Sequence, residues 1–211
     1  MLIAIDGPAG AGKSTAARGL AAEIGATYLD SGAMYRCVAL AAMDSGVDAD
    51  DPDAMGELAE TVEIDPGPPP MLDGLDVNER IRTPETSEVA SRVSVHPRVR
   101  EALVARQREL IAQGDWVAEG RDIGTVVAPG ADLKIFLTAD QAIRADRRAK
   151  ESGGSPDQVA VSISERDTRD RSREHGALRA AEDAIELDTT DLSPDQVVAA
   201  IVDLARERGV L

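Results

Sequence analysis

GPAGAGKS, residues 7–14, satisfies the spacing G-x-x-x-x-G-K-[ST], and the chemistry of that spacing is the cradling of a triphosphate. Glycines let backbone N–H groups turn inward onto phosphate oxygens, and a helix starting behind the loop adds positive potential. Gly7, Pro8, Ala9, Gly10, Ala11 and Gly12 would form the cradle, with Lys13 reaching the β- and γ-phosphates, Ser14 offering its hydroxyl to Mg²⁺ and Thr15 also binding the ATP. An ordinary strand-to-helix turn is the competing reading, and spacing, residue types and flanking elements all speak against it.

Three further clusters are suited to anions. ERDTRDRSREHG (165–176) holds Arg166, Arg169, Arg171 and Arg173 within eight positions of a chain whose formal net charge is −16. At 100° per residue, Arg166, Arg169, Asp170 and Arg173 share one helix face and Arg171 points away from it. Such a stripe repels itself unless it faces an anion, and reacting phosphates would supply one. The alternative is an exposed helix whose arginines are balanced by Asp167 and Glu174. Arg36 in DSGAMYR (30–36) and Arg121 in EGRDIGT (119–125) add guanidinium forks that fit phosphate bidentately.

Strands must end where these clusters begin. LIAID (2–6) is an apolar run before the glycine-rich loop, and Lys13 to Glu23 carries Ala and Leu at helical spacing. ATYLD (26–30) reads as a second strand, followed by a helix from about Ala33 to Asp44. WVAE (116–119), LKIFL (133–137) and AIELD (184–188) read as further strands, the last two followed by amphipathic helices. Short strands alternating with helices imply a parallel sheet covered on both faces, and ligands of such sheets bind at the carboxyl ends of the strands. DSGAMYR and EGRDIGT both fall there. Residues 51–92 break the rhythm, and GPPP (67–70), flanked by apolar runs, reads as a hairpin loop in an inserted subdomain rather than a linker. ESGGSP (151–156) is a flexible break, with Gly153 and Gly154 as a hinge.

GPAGAGKST, DSGAMYR, IRTPE with ASRVS and PRVRE, EGRDIGTVV and ERDTRDRSR, in that order, resemble bacterial cytidylate kinases over essentially the whole chain. The resemblance implies a three-layer α/β/α P-loop fold with a central parallel sheet of about five strands. It adds a small nucleoside-monophosphate-binding insert at about 54–92 and a helical lid at about 151–175. The implied reaction moves the γ-phosphoryl of ATP to CMP or dCMP, with Mg²⁺. Implied acceptor residues are Asp30, Ser31, Tyr35, Arg36, Ser91, Arg100, Gly120, Arg121, Asp122, Arg166, Asp170 and Arg173. Among them Asp122, with Ser91 and Arg100, reads the base, Arg166 and Asp170 lie near the ribose, and Arg169 and Arg173 face the phosphates. Lys13, Arg121, Arg169 and Arg173 carry the catalytic charge. Arg147 either stacks on the adenine or is a surface arginine, and Asp6 acts on Mg²⁺ through water or satisfies loop amides. The loop DTTDLS (188–193) borders the adenine.

Composition narrows the field. With 39 acidic against 23 basic residues and 2% aromatics, a general nucleic-acid or anionic-membrane surface is excluded, as are base-stacking platforms. No apolar stretch approaches the roughly 20 residues of a membrane span. A soluble, cytoplasmic monomer is expected. Cys37 reads as a buried structural thiol, and His96 and His175 lack metal-ligand spacing. The rivals are a kinase of UMP, AMP or a non-nucleotide acceptor, and an ATP-hydrolysing switch, which would have no use for a second anion cradle. N-K-x-D, the guanine-reading motif, is absent from the sequence.

Overall fold

The computed structural model describes residues 1–152 and 155–211, so the expected hinge at Gly153 and Gly154 lies outside the described residues. The chain divides into two compact units, Met1–Leu29 with Ile111–Leu211, and Asp30–Leu110. The first begins with β1 (Leu2–Asp6), buried from Ile3 onward as befits a strand with neighbours on both edges. α1 (Lys13–Ile24) starts directly after the glycine-rich loop and stops at Gly25, which takes the left-handed conformation (φ 70°) at its C-cap. β2 (Thr27–Asp30) follows.

The second unit is mostly helical. α2 (Ser31–Ser45) is capped by Asp30, whose side chain accepts from Ala33 N–H. α3 (Pro52–Thr61) and α4 (Pro84–Val93) each begin with proline behind a capping side chain, Asp51 and Thr83. Between them β3 (Ile64–Asp65), β4 (Met71–Leu72) and β5 (Leu75–Asp76) form an antiparallel sheet in that order. The GPPP run is the β3–β4 hairpin connection, as its flanking apolar residues predict. α5 (Pro97–Leu110) closes the unit, and α3 packs on α5 as α2 packs on α4. This unit takes in the expected insert at 54–92 together with helices on either side of it.

Returning to the first unit, the chain forms β6 (Trp116–Gly120), a π-helical turn Ile123–Val127, β7 (Leu133–Thr138), α6 (Gln141–Ser152), α7 (Pro156–Ser172), β8 (Ile185–Asp188) and α8 (Pro194–Glu207). The sheet order is β2-β6-β1-β7-β8, and β1 runs parallel to both β6 and β7 with Ile3 opposite Val117 and Leu133. This is the P-loop α/β/α architecture expected from the sequence. Ile3, Ile5, Val117, Ile135 and Leu137 meet Leu20 of α1 and Ile201 of α8 in one buried cluster. Burying a Leu or Ile side chain contributes about 1.5–3 kcal/mol, so this cluster holds the strand ends that carry the glycine-rich loop and EGRDIGT. Among the described residues, no helix is long and apolar enough to cross a membrane.

Candidate active site

The glycine-rich loop leaves β1 through Gly7 (φ 149°) and turns again at Gly10 (φ 76°). A Cβ on Gly7 would stand 2.2 Å from the Leu137 carbonyl oxygen, and one on Gly10 2.6 Å from that of Arg144. Only glycine fits where the loop passes this close to backbone. Lys13 is 6% exposed and donates to the Pro8 carbonyl at 2.9 Å. Burial, then the Arg121 and Arg166 guanidiniums, push its ammonium down to about 7 against the pull of Glu119 and Asp6. A polyanion in the loop would reverse that balance. Ser14 is half-buried and Thr15 exposed in the first turn of α1. The Ser14 hydroxyl makes no hydrogen bond to a described residue, so it suits a Mg²⁺ ion held mainly by phosphates and water.

Beside the loop lies a cavity of about 330 Å³ walled by Gly12, Thr15, Arg147, Thr189, Leu192 and Val197, among others. Arg147 donates to Thr189 Oγ1 at 2.9 Å and to the Thr189 carbonyl at 2.6 Å, which pins its guanidinium to the cavity wall. Thr189 and Leu192 come from DTTDLS, so that loop borders the cavity.

Two of the cationic clusters, ERDTRDRSREHG and EGRDIGT, converge in the same unit. Asp170 is fully buried; its Oδ2 accepts from Arg121 Nε at 2.8 Å and its Oδ1 pairs with Arg173. Burial would raise its carboxyl, but Arg121, Arg173 and Arg166 hold it at about 2. Arg166 and Arg169 are half-buried on α7 and Arg171 is exposed, as the helical spacing predicts. One detail differs. α7 ends at Ser172, and Arg173 is its C-cap with ψ 136°, so it reaches Asp170 from just outside the helix. The balancing role weighed for Asp167 also fails, because Asp167 is 2% exposed and is paired with Arg144 at 2.6 Å. Gly120 ends β6, and Arg121 and Asp122 follow it. Asp122 is buried and makes no side-chain N-cap bond to the π-helical turn.

The Asp6 side chain accepts from Ile123 N–H at 2.9 Å and Gly124 N–H at 2.8 Å, so it anchors the turn that follows Arg121 and Asp122. Burial pushes its carboxyl up to about 6 against these two bonds, from an ordinary 3.8. The folded pKa lies above the unfolded one, so Asp6 opposes folding increasingly as pH rises from about 4 to 6, by roughly 3 kcal/mol in all. In Asp6→Asn the unfolding free energy relative to wild type should therefore climb by that amount between pH 4 and pH 7. One amide N–H then faces an NH₂, so the turn that follows Arg121 and Asp122 should move. Denaturant titrations at the two pH values check the first expectation; a flat difference would refute the shift.

The second unit holds the remaining candidates. Asp30 Oδ2 pairs with Arg36 at 2.9 Å while Oδ1 caps α2, so Arg36 is held in place rather than spread on a helix surface. Ser31 is buried beside Asp30 in sequence. Arg100 donates to the Tyr35 hydroxyl at 3.3 Å. Ser91 and Arg100 are 1% and 5% exposed, which overturns the alternative of solvated helix residues. Cys37 is fully buried, its thiol pushed up to about 11 by that burial, and His96 is tied to the Ala49 carbonyl at 2.7 Å.

Sequence reasoning missed Arg144. It reads as one of several basic residues on α6, yet it is 7% exposed. The available signal was the spacing of Ala160, Ile163 and Asp167, three, four and seven apart, which makes Asp167 the end of an apolar stripe.

A family model described as cytidylate kinase matches residues 3–207. A cytidylate kinase of Solibacter usitatus is 49% identical, the match covering 99% of this chain and 93% of the relative. One of Carboxydothermus hydrogenoformans is 46% identical over 100% of both chains. Among solved structures, a gluconokinase from Sinorhizobium meliloti aligns over 98% of this chain and 93% of its own, with a TM-score of 0.53 and 16% identity, a likeness of fold.

Proposed function

The chain belongs to the cytidylate kinase family, and on that premise we propose that it transfers the γ-phosphoryl group of ATP to CMP or dCMP, releasing ADP and CDP or dCDP. The observation that carries the reading is the buried Asp170 between Arg121 and Arg173, in the unit that also holds Lys13. An ATP hydrolase has no need of a second arginine cradle beyond its triphosphate loop. Phosphoryl transfer asks mainly for position and for cations around oxygens that carry charge.

The glycine-rich loop and Lys13 bind the β- and γ-phosphates, and Arg147 borders the adenine. Arg121, Arg169 and Arg173 neutralise charge on the moving phosphoryl group, and Arg36 and Arg121 hold the acceptor α-phosphate. Arg166 and Asp170 serve the acceptor ribose; a carboxylate offers about four lone-pair sites, so Asp170 can accept a hydroxyl beyond its two ion pairs. Mg²⁺, held by Ser14 and the phosphates, supplies charge neutralisation of the β- and γ-oxygens when bound. Residues 54–92 form the acceptor-binding insert and 151–175 the lid over the reacting phosphates. Asp30, Ser31, Tyr35 and Gly120 complete the acceptor set. The net charge of −16 favours a cytoplasmic monomer with no nucleic-acid partner.

Cytosine presents an amine where uracil presents a carbonyl, so Asp122, supported by Ser91 and Arg100, favours the first and repels the second. The test is ADP release from Mg·ATP with CMP, dCMP, UMP, AMP or no acceptor, products being identified by mass. Strong stimulation by CMP and dCMP is expected; acceptor-independent turnover alone would make the protein a hydrolase. Asp122→Asn should then narrow the CMP-over-UMP ratio of kcat/KM by about tenfold or more, and an unchanged ratio would remove Asp122 from base reading.

A further inference from the structure

Ala9, in the middle of the glycine-rich loop, is gripped through both of its peptide groups. Its N–H donates to Asp167 Oδ1 at 3.2 Å, and its carbonyl accepts from Arg144 Nη1 at 2.8 Å. Arg144 Nη1 and Asp167 Oδ2 pair at 2.6 Å with side chains only 8% and 3% exposed, and Arg144 Nε is fastened to the Ala139 carbonyl at 3.1 Å. Ala9 packs with Ala145 of α6 and Ile163 of α7 in the same buried cluster. Three elements therefore meet at one residue of the loop.

Stability is a weak reason for this arrangement. Desolvating two charges offsets most of what they gain by pairing, and well-packed apolar side chains commonly hold two helices as firmly. An apolar pair cannot, however, bond the N–H and the C=O of one chosen residue. Hydrogen-bond geometry fixes register to within tenths of an ångström, while apolar contact lets helices slide. Asp167 lies one residue after Arg166 and three before Asp170, so any slide of α7 along the loop displaces the arginine cradle with it.

We propose that Arg144 and Asp167 are positioning residues that register α7, and with it Arg166, Asp170 and Arg173, to the phosphate loop at Ala9. What the register is for rests on the kinase reading above; the register itself does not. Occupancy of the loop by ATP is thereby felt by α7.

The test uses the full chain with Asp167→Asn, Arg144→Lys and the apolar double variant Arg144→Met/Asp167→Leu. Each is measured for Tm, for kcat and KM with CMP, and for amide exchange across residues 157–172 with and without an ATP analogue whose γ-phosphoryl cannot transfer. The double variant should regain most of the Tm that the single variants lose. It should nonetheless stay about 10–100-fold low in kcat/KM, and its α7 amides should gain no protection when the analogue binds, as wild-type amides do. Recovery of kcat/KM together with Tm in the double variant would make the pair a structural tie only and overturn the proposal, as would single variants that lose Tm with kinetics and exchange unchanged. Should the wild type fail to phosphorylate CMP, the kinase reading falls, and the exchange difference still decides the register.

Discussion

Asp170→Leu is expected to unfold more readily than wild type by about 3–5 kcal/mol and to lose on the order of 10³ in kcat. The carboxylate is 0% exposed and engaged by Arg121 and Arg173, with Arg166 close enough to pull on its pKa. Removing it takes from Arg121 and Arg173 the buried carboxylate they share, where water screens their mutual repulsion little. In a chain of this length the stability loss corresponds to a Tm fall of very roughly 6–20 °C. The charge has its own signature. The folded pKa, about 2, lies below the ordinary 3.8, so the stability Asp170 supplies is in force above about pH 4 and disappears as pH falls through 2, roughly 2 kcal/mol in all. Thermal denaturation and steady-state kinetics check both effects; a variant with wild-type Tm and kcat would mean the cradle does not need its central anion.

Lys13→Met should behave in the opposite way towards stability. Lys13 is a buried cation whose ammonium is disfavoured by burial and by Arg121 and Arg166, so an apolar side chain of similar length removes a cost from the empty protein. Tm is expected to stay level or rise slightly. Phosphoryl transfer is expected to fall about 10³-fold, the loss typical of a preorganised charge aimed at the reacting oxygens. The two results together separate groups that hold the site from groups that work on the substrate. A Lys13→Met protein that lost several degrees of Tm would show that the bond to the Pro8 carbonyl matters more than the electrostatic cost.

GPAGAGKS is readable from sequence because its residue types and spacing lie in one contiguous stretch, even though the backbone that admits only glycine at Gly7 and Gly10 belongs to the distant Leu137 and Arg144. The five core strands are readable for a related reason, since each is a short apolar run bounded by turn residues. The arginine cradle is only half readable. Helical spacing aligns Arg166, Arg169, Asp170 and Arg173, although Arg173 makes its i,i+3 pair from just past the helix end. Arg121, however, reaches Asp170 across 49 positions, and no period encodes that. Asp167, set between Arg166 and Arg169, looks like surface charge until α6 brings Arg144 beside it. Asp6 and Asp122 are similar: whether a carboxylate at a strand end bonds amides, a cation or a ligand depends on which loop folds over it, and the loops around them come from β6, more than a hundred residues after Asp6.

The sheet that carries the phosphate loop is assembled from the two ends of the chain, with Asp30–Leu110 interrupting it. β1 leaves the ribosome long before its ladder partners, which begin only at Trp116 and Leu133. During synthesis the first strand must wait, apolar and unpaired, while the contiguous helical unit behind it can already fold through contacts of short sequence separation. The interruption itself is cheap to close, because chain-closure entropy grows only with the logarithm of length. Its cost is temporal: the nascent phosphate loop has nothing to rest on until β6 and β7 emerge, so chaperone engagement in the cell should concentrate on chains stalled between residues 30 and 115.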